Sequence, residues 1–178
     1  MEAKRNTPSM ISFLLVTVLI VVVIYYLVVA MNTKDLLWFR SAFNGSPESI
    51  TVHCFGQDIV LTPTDPHYTA INQFINEAMS GDKRWDSTSL SVATYEDYQS
   101  HPSMMVLEAK YAPPVRVHSN VKFFSRVDTL VIPLVGRHAQ YNTVFGRLQN
   151  ESNAGSFHLE STAMLTEYLA SQRLCVEP

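Results

Sequence analysis

The chain has 178 residues, of which 13 are basic and 16 acidic, for a formal net charge of −3. Hydrophobic residues make up 47% and charged ones only 16%, and the shortage of charge has a local source: residues 10–31 carry none. This composition excludes a disordered tail, a multi-pass transporter and a disulfide-dense miniprotein, and it offers no basic field for nucleic acid. One membrane segment and one ordinary domain remain.

Residues 1–9 read as a short cytoplasmic leader carrying Lys4 and Arg5. The apolar run that follows, at about 1.5 Å per residue, reaches roughly 33 Å against a hydrocarbon core of about 30 Å. A cleaved signal peptide competes, with small residues near Ala30, but signal cores usually stop at about 7–15 residues. Residues 10–31 are therefore expected to be an uncleaved signal anchor, held in lipid as a helix because every backbone group must bond internally. The positive leader favours an extracytoplasmic remainder, in a periplasmic or extracellular setting.

Residues 32–49 are expected to extend this helix and then become a linker. Leu36, Phe39 and Phe43 recur at helical spacing, with Trp38 beside them, until the Asn44-Gly45-Ser46-Pro47 breaker. Trp38 suits the headgroup level, and the stripe is either an interfacial anchor or a docking face for a neighbouring membrane subunit.

Residues 50–178 form the expected domain, with 9 basic and 13 acidic residues. Residues 50–61 alternate apolar and polar around Gly56 and predict a hairpin. Asp65 as N-cap and Pro66 at the first position predict a helix with Tyr68, Ile71, Ile75 and Met79 on one face, ended by Gly81. Residues 90–95 alternate weakly as a strand, and 95–103 read as a polar loop. Strands are expected at 104–111, stopped by Pro113-Pro114, and at 115–118, 120–127 and 129–135. Pro133 places the last at an edge or at an interruption. Further strands follow at 141–148 and 156–159, separated by a turn at 149–155. Ser161 or Thr162 caps a final helix bearing Met164, Leu165, Tyr168 and Leu169. Many strands with two helices near the ends predict α+β with a mainly antiparallel sheet.

The chemistry-bearing residues form no familiar pattern. Histidines 53, 67, 101, 118, 138 and 158 show no metal-ligand spacing, and no nucleophile elbow or phosphate-cradling loop occurs. No catalytic residue, cofactor or metal is expected. His53 and Cys54 adjoin, but neighbouring strand residues face opposite ways. Glu96, Asp97 and Glu108 read as solvated charges. Asn44 and Asn150 fit the glycosylation spacing in loops. Cys54 and Cys175 lie at the two ends of the domain, and either a closing disulfide or two separate thiols fits them. Tyr95, Tyr98 and Tyr111, among prolines and a histidine, either fold onto their own sheet or form a recognition surface.

The expected function is thus a single-pass accessory or interaction module, a non-catalytic subunit among other membrane protein subunits, touching lipid through residues 10–31. Two other classes share this architecture. A ligand-binding sensory domain would need a cytoplasmic output segment, and a membrane-tethered hydrolase would need a cleft with a perturbed acid–base pair.

Overall fold

A computed structural model describes residues 9–120, 126–149 and 154–175. The leader up to residue 8, most of the expected 120–127 strand, and Asn150 with most of its turn lie outside the described residues. The fold is α+β. Helix α1 (Met10–Thr33) is long and apolar enough to cross a membrane, and almost its whole circumference is exposed. Ser9 caps it by accepting the Ser12 N–H through its hydroxyl.

The remainder is one antiparallel sheet flanked by helices. In chain order it comprises β1 (Ser49–Cys54), β2 (Gln57–Leu61), α2 (Tyr68–Ser80), β3 (Arg84–Trp85), α3 (Val92–Ser100) and β4 (Met105–Val115). Then come β5 (Val127–Val135), a 3-10 turn (Ala139–Tyr141), β6 (Thr143–Arg147), β7 (Gly155–His158) and α4 (Ala163–Ser171). The seven strands lie in the order β2-β1-β4-β5-β6-β7-β3. The β1–β2 hairpin turns at Phe55 and Gly56, both with positive φ, as a tight two-residue connection requires.

Period-two alternation divides the side chains between two faces. Ile50, Val52, Leu107, Ala109, Leu130 and Ile132 face α2 and α4 and form the main core with Ile71, Ile75, Met79, Leu165 and Leu169. Val106, Val131 and Phe145 face the other way and pack with Leu90 and Tyr98 under α3. The stripe expected on α2 is the buried one, and Gly81 ends the helix.

Several expectations need correction. The juxtamembrane helix does not form: α1 stops at Thr33, and Lys34 adopts a left-handed conformation with φ 54°. Residues 90–103 are neither strand nor loop throughout, because α3 occupies 92–100 with Ser91 as its cap, giving the domain a third helix. Strand β4 runs through Pro113-Pro114 to Val115, where its pairing with β5 shifts register; residues 116–118 are not strand. Pro133 is not at an edge, since β5 lies between β4 and β6, but it does adjoin a register shift opposite Met105 and Val106. Tyr141 belongs to the 3-10 turn rather than to β6. Asp65 does not cap α2: its carboxylate accepts the Thr62 N–H at 2.7 Å and closes the preceding turn.

The expected linker is a strap held along α2. The Phe43 N–H donates to the Ser80 hydroxyl at 2.9 Å, and that hydroxyl lies 3.2 Å from the Phe43 carbonyl. One turn earlier, Asn76 accepts the Gly45 N–H at 2.8 Å and donates to the Gly45 carbonyl at 3.0 Å. Two side chains at i and i+4 thus do for the strap what a neighbouring strand would do. The Tyr68 hydroxyl donates to the Pro47 carbonyl, and the ring of Phe43 meets Tyr111 edge-on at 6.2 Å.

A Cβ on Gly45 would lie 2.7 Å from Phe43 Cζ and 2.8 Å from Tyr111 Cε1. Gly45→Ala should therefore cost about 1–3 kcal/mol by overpacking. Thermal unfolding of the detergent-solubilised chain reads this directly, and an unchanged midpoint would show that the strap does not hold the packing described.

Candidate functional site

A dense polar arrangement lies on the α3 face of the sheet, where an apolar layer would be ordinary. His53 on β1 stands opposite Asp58 on β2 in the hairpin register, and Glu108 projects from β4 beside them. Glu108 is 1% exposed, so the reading of a solvated charge is overturned. Its carboxylate accepts the Tyr95 hydroxyl at 2.9 and 3.0 Å to its two oxygens. His53 Nε2 lies 3.3 Å away and Lys110 Nζ 3.4 Å away. The other imidazole nitrogen, Nδ1, lies 2.7 Å from the Asp58 carboxylate.

Burial works against charge on both His53 and Glu108, yet their partners prevail. Bonds to Glu108 and Asp58 raise the His53 pKa above its ordinary value, and His53, Lys110 and Tyr95 hold Glu108 below the usual carboxylate range. Burial beside the Glu108 charge pushes the Tyr95 phenol up to about 12, so it stays a donor. Arg147 stacks its guanidinium 3.8 Å from the centre of the Tyr95 ring. The result is a buried imidazole–carboxylate pair covered by a tyrosine.

A perturbed acid–base pair is what a hydrolase would need, but reach decides what this one can do. Both His53 nitrogens and both Glu108 oxygens have protein partners, and both residues are buried. The His53 and Glu108 side chains are 7% and 2% exposed, so little of either is open to another molecule. The pair joins α3, β1, β2 and β4.

A second constellation, Asp86, Ser156 and His158, invites comparison with a nucleophile triad. His158 Nδ1 donates to the Tyr141 carbonyl at 2.8 Å, and its Nε2 lies 3.4 Å from Asp86 Oδ2. The Ser156 hydroxyl donates to the Thr88 carbonyl at 2.5 Å. The serine hydroxyl is thus directed to a backbone carbonyl and not to the imidazole, so Ser156 and His158 are not paired as nucleophile and base in this arrangement. Burial would raise the Asp86 pKa, but bonds from Thr88 and the nearby His158 and Thr143 keep it low. Among the described residues no three His, Cys, Asp or Glu side chains converge as a metal site.

The tyrosines singled out by sequence do not share one surface. Tyr98 and Tyr111 are only 1% and 4% exposed, so neither ring can be offered to another molecule. Tyr98 sits 2.5 Å from His138 Nδ1, and Tyr111 belongs to the main core. Tyr95 is half-buried over Glu108. Phe43 is buried as well, whereas Leu36 and Phe39 are exposed and Trp38 is intermediate. Cys54 and Cys175 form a disulfide, with Cα atoms 5.6 Å apart, tying the end of β1 to the segment after α4.

The junction with α1 was not visible in sequence. Asp35, just past the helix, is buried and accepts from His118 Nδ1 at 2.8 Å, with Arg116 Nη1 at 3.8 Å. Its other oxygen accepts the Leu37 N–H at 2.9 Å. The only local hint was an acid placed four residues past the end of an apolar run. Comparison of the chain with protein-family models, curated proteins and solved structures returns no match.

Proposed function

We propose that this is a single-pass, membrane-anchored accessory protein whose domain presents protein-contact surfaces on the extracytoplasmic side. The observation that carries the reading is the junction. Asp35 is locked to His118 and Arg116, and the strap at 43–47 is bonded to α2, so the domain is held to the end of α1 rather than hung on a loose tether. A fixed pose relative to the membrane serves a subunit that must meet neighbours in one orientation. The exposed, uncharged and mostly apolar circumference of α1 supports the anchor, and the Cys54–Cys175 bond supports an oxidising compartment. The His53–Glu108 and Asp86–His158 groups support the non-catalytic part of the reading, because their polar atoms are spent on internal contacts.

Pull-down of the tagged full chain in gentle detergent, with mass spectrometry of the co-purifying chains, should recover a membrane protein at a fixed stoichiometry. Recovery of the tagged chain alone from several mild detergents would overturn the accessory role.

A further inference from the structure

After Thr33 the chain does not leave α1 but folds back along it. The Tyr26 hydroxyl donates to the Leu36 carbonyl at 2.9 Å. Trp38 meets Tyr25 edge-on at 5.9 Å between ring centres, and Phe39 lies 6.3 Å from Tyr26. Tyr25 and Tyr26 precede Thr33 by eight and seven residues, about two helical turns, so the returning loop lies beside those turns. The loop is pinned from the other side by Asp35, whose carboxylate is withdrawn into the domain.

This placement exposes apolar surface where soluble proteins seldom do. Leu36 and Phe39 are 66% and 59% exposed, Leu37 is 39% exposed, and they continue the bare apolar surface of α1. No charged residue lies between Leu36 and Phe39, while exposed Lys34 and Arg40 flank them. Cations bracketing an aromatic and apolar stretch match the order of headgroups and hydrocarbon at a bilayer boundary.

We infer that residues 36–39 form a membrane-embedded foot, seated among the lipid acyl chains beside the exit of α1 and holding the domain against the bilayer. The inference rests on the reading of α1 as a membrane span. With about 36 Å of helix against about 30 Å of hydrocarbon, only about two residues project at each end, and Tyr25 and Tyr26 lie inside the boundary. Whatever packs against them enters with them. Lys34 and Arg40 then reach lipid phosphates, and the domain cannot swing away without pulling Leu36, Trp38 and Phe39 into water.

The chain holds two tryptophans, Trp38 and Trp85, so Trp38 can be read by itself. Full-length Trp85→Phe protein is placed in phosphatidylcholine vesicles brominated on the acyl chains close to the headgroup. Trp38 emission should fall to a minor fraction of its value in unbrominated lipid, and aqueous iodide should leave it nearly unchanged. Should Trp85→Phe fold poorly, the same signal is obtained by subtracting a Trp38→Phe chain from the native one. Strong iodide quenching with no effect of bromine would overturn the foot. Alkaline carbonate extraction of the same vesicles separates the two readings. A retained chain with iodide-quenched Trp38 fails the foot alone, whereas a released chain fails the anchor beneath it.

Discussion

Glu108→Ala should destabilise the domain by about 3–5 kcal/mol, the range for removing one partner of a buried ion pair. The deletion leaves the His53 imidazole without its buried carboxylate partner and the Tyr95 hydroxyl without an acceptor on the sheet. Urea unfolding of the detergent-solubilised chain, followed by circular dichroism, measures the change. A loss below about 1 kcal/mol, the level of an exposed pair, would show that the carboxylate is not sealed as described.

The same pair sets a pH dependence whose sign follows from the directions of the two shifts. His53 is raised above 6.5, so its contribution is complete below 6.5 and disappears as pH climbs through the folded-state value. Glu108 is lowered below 4.5, so its contribution is complete above 4.5 and disappears as pH falls through its folded-state value. The clamp is therefore strongest between these limits. His53→Asn should flatten the alkaline decline of stability and leave the acid side to the carboxylates. An unaltered alkaline decline in that variant would reject the assignment.

Loss of the Cys54–Cys175 bond should have an effect of similar size. The bridge spans 121 residues, and on the chain-entropy model a loop of that length is worth about 5 kcal/mol. The Cys54→Ser, Cys175→Ser double variant should unfold at markedly lower urea than the oxidised native chain and match the native chain after reduction. Mass-tagging with maleimide in cells, under denaturing quench, tests the compartment at the same time. No label before reduction and two labels after it are expected for an oxidised extracytoplasmic monomer. Two labels before reduction would reject both the bond in cells and the support it lends to that orientation.

Where burial is periodic and local, the residues spell out their own element. The 22 uncharged residues at 10–31 demand a helix if they lie in lipid. The stripe Tyr68, Ile71, Ile75 and Met79 demands one buried helix face. Alternation through β1 sorts Ile50 and Val52 from Thr51 and His53 without knowledge of the partner strands. The α+β class follows from these runs, and so does the pairing of opportunity, though not of distance, between the two cysteines.

What had to await the folded chain shares one property: the deciding partner is remote in sequence. Leu36, Phe39 and Phe43 have helical spacing, but Asp35 finds His118 83 residues away, and the helix ends instead. Gly45 looks like linker until Asn76 supplies bonds for its backbone, as Ser80 does for Phe43 just before it. α3 carries little apolar signal of its own, since only Thr94 and Tyr98 are buried along it, and the second face of the sheet gives it somewhere to lie. Glu108 reads as a surface charge beside Lys110 until β1 delivers His53 and α3 delivers Tyr95. Local pattern reports which face of an element avoids water; it carries no record of which distant charge or backbone group will be there to meet it.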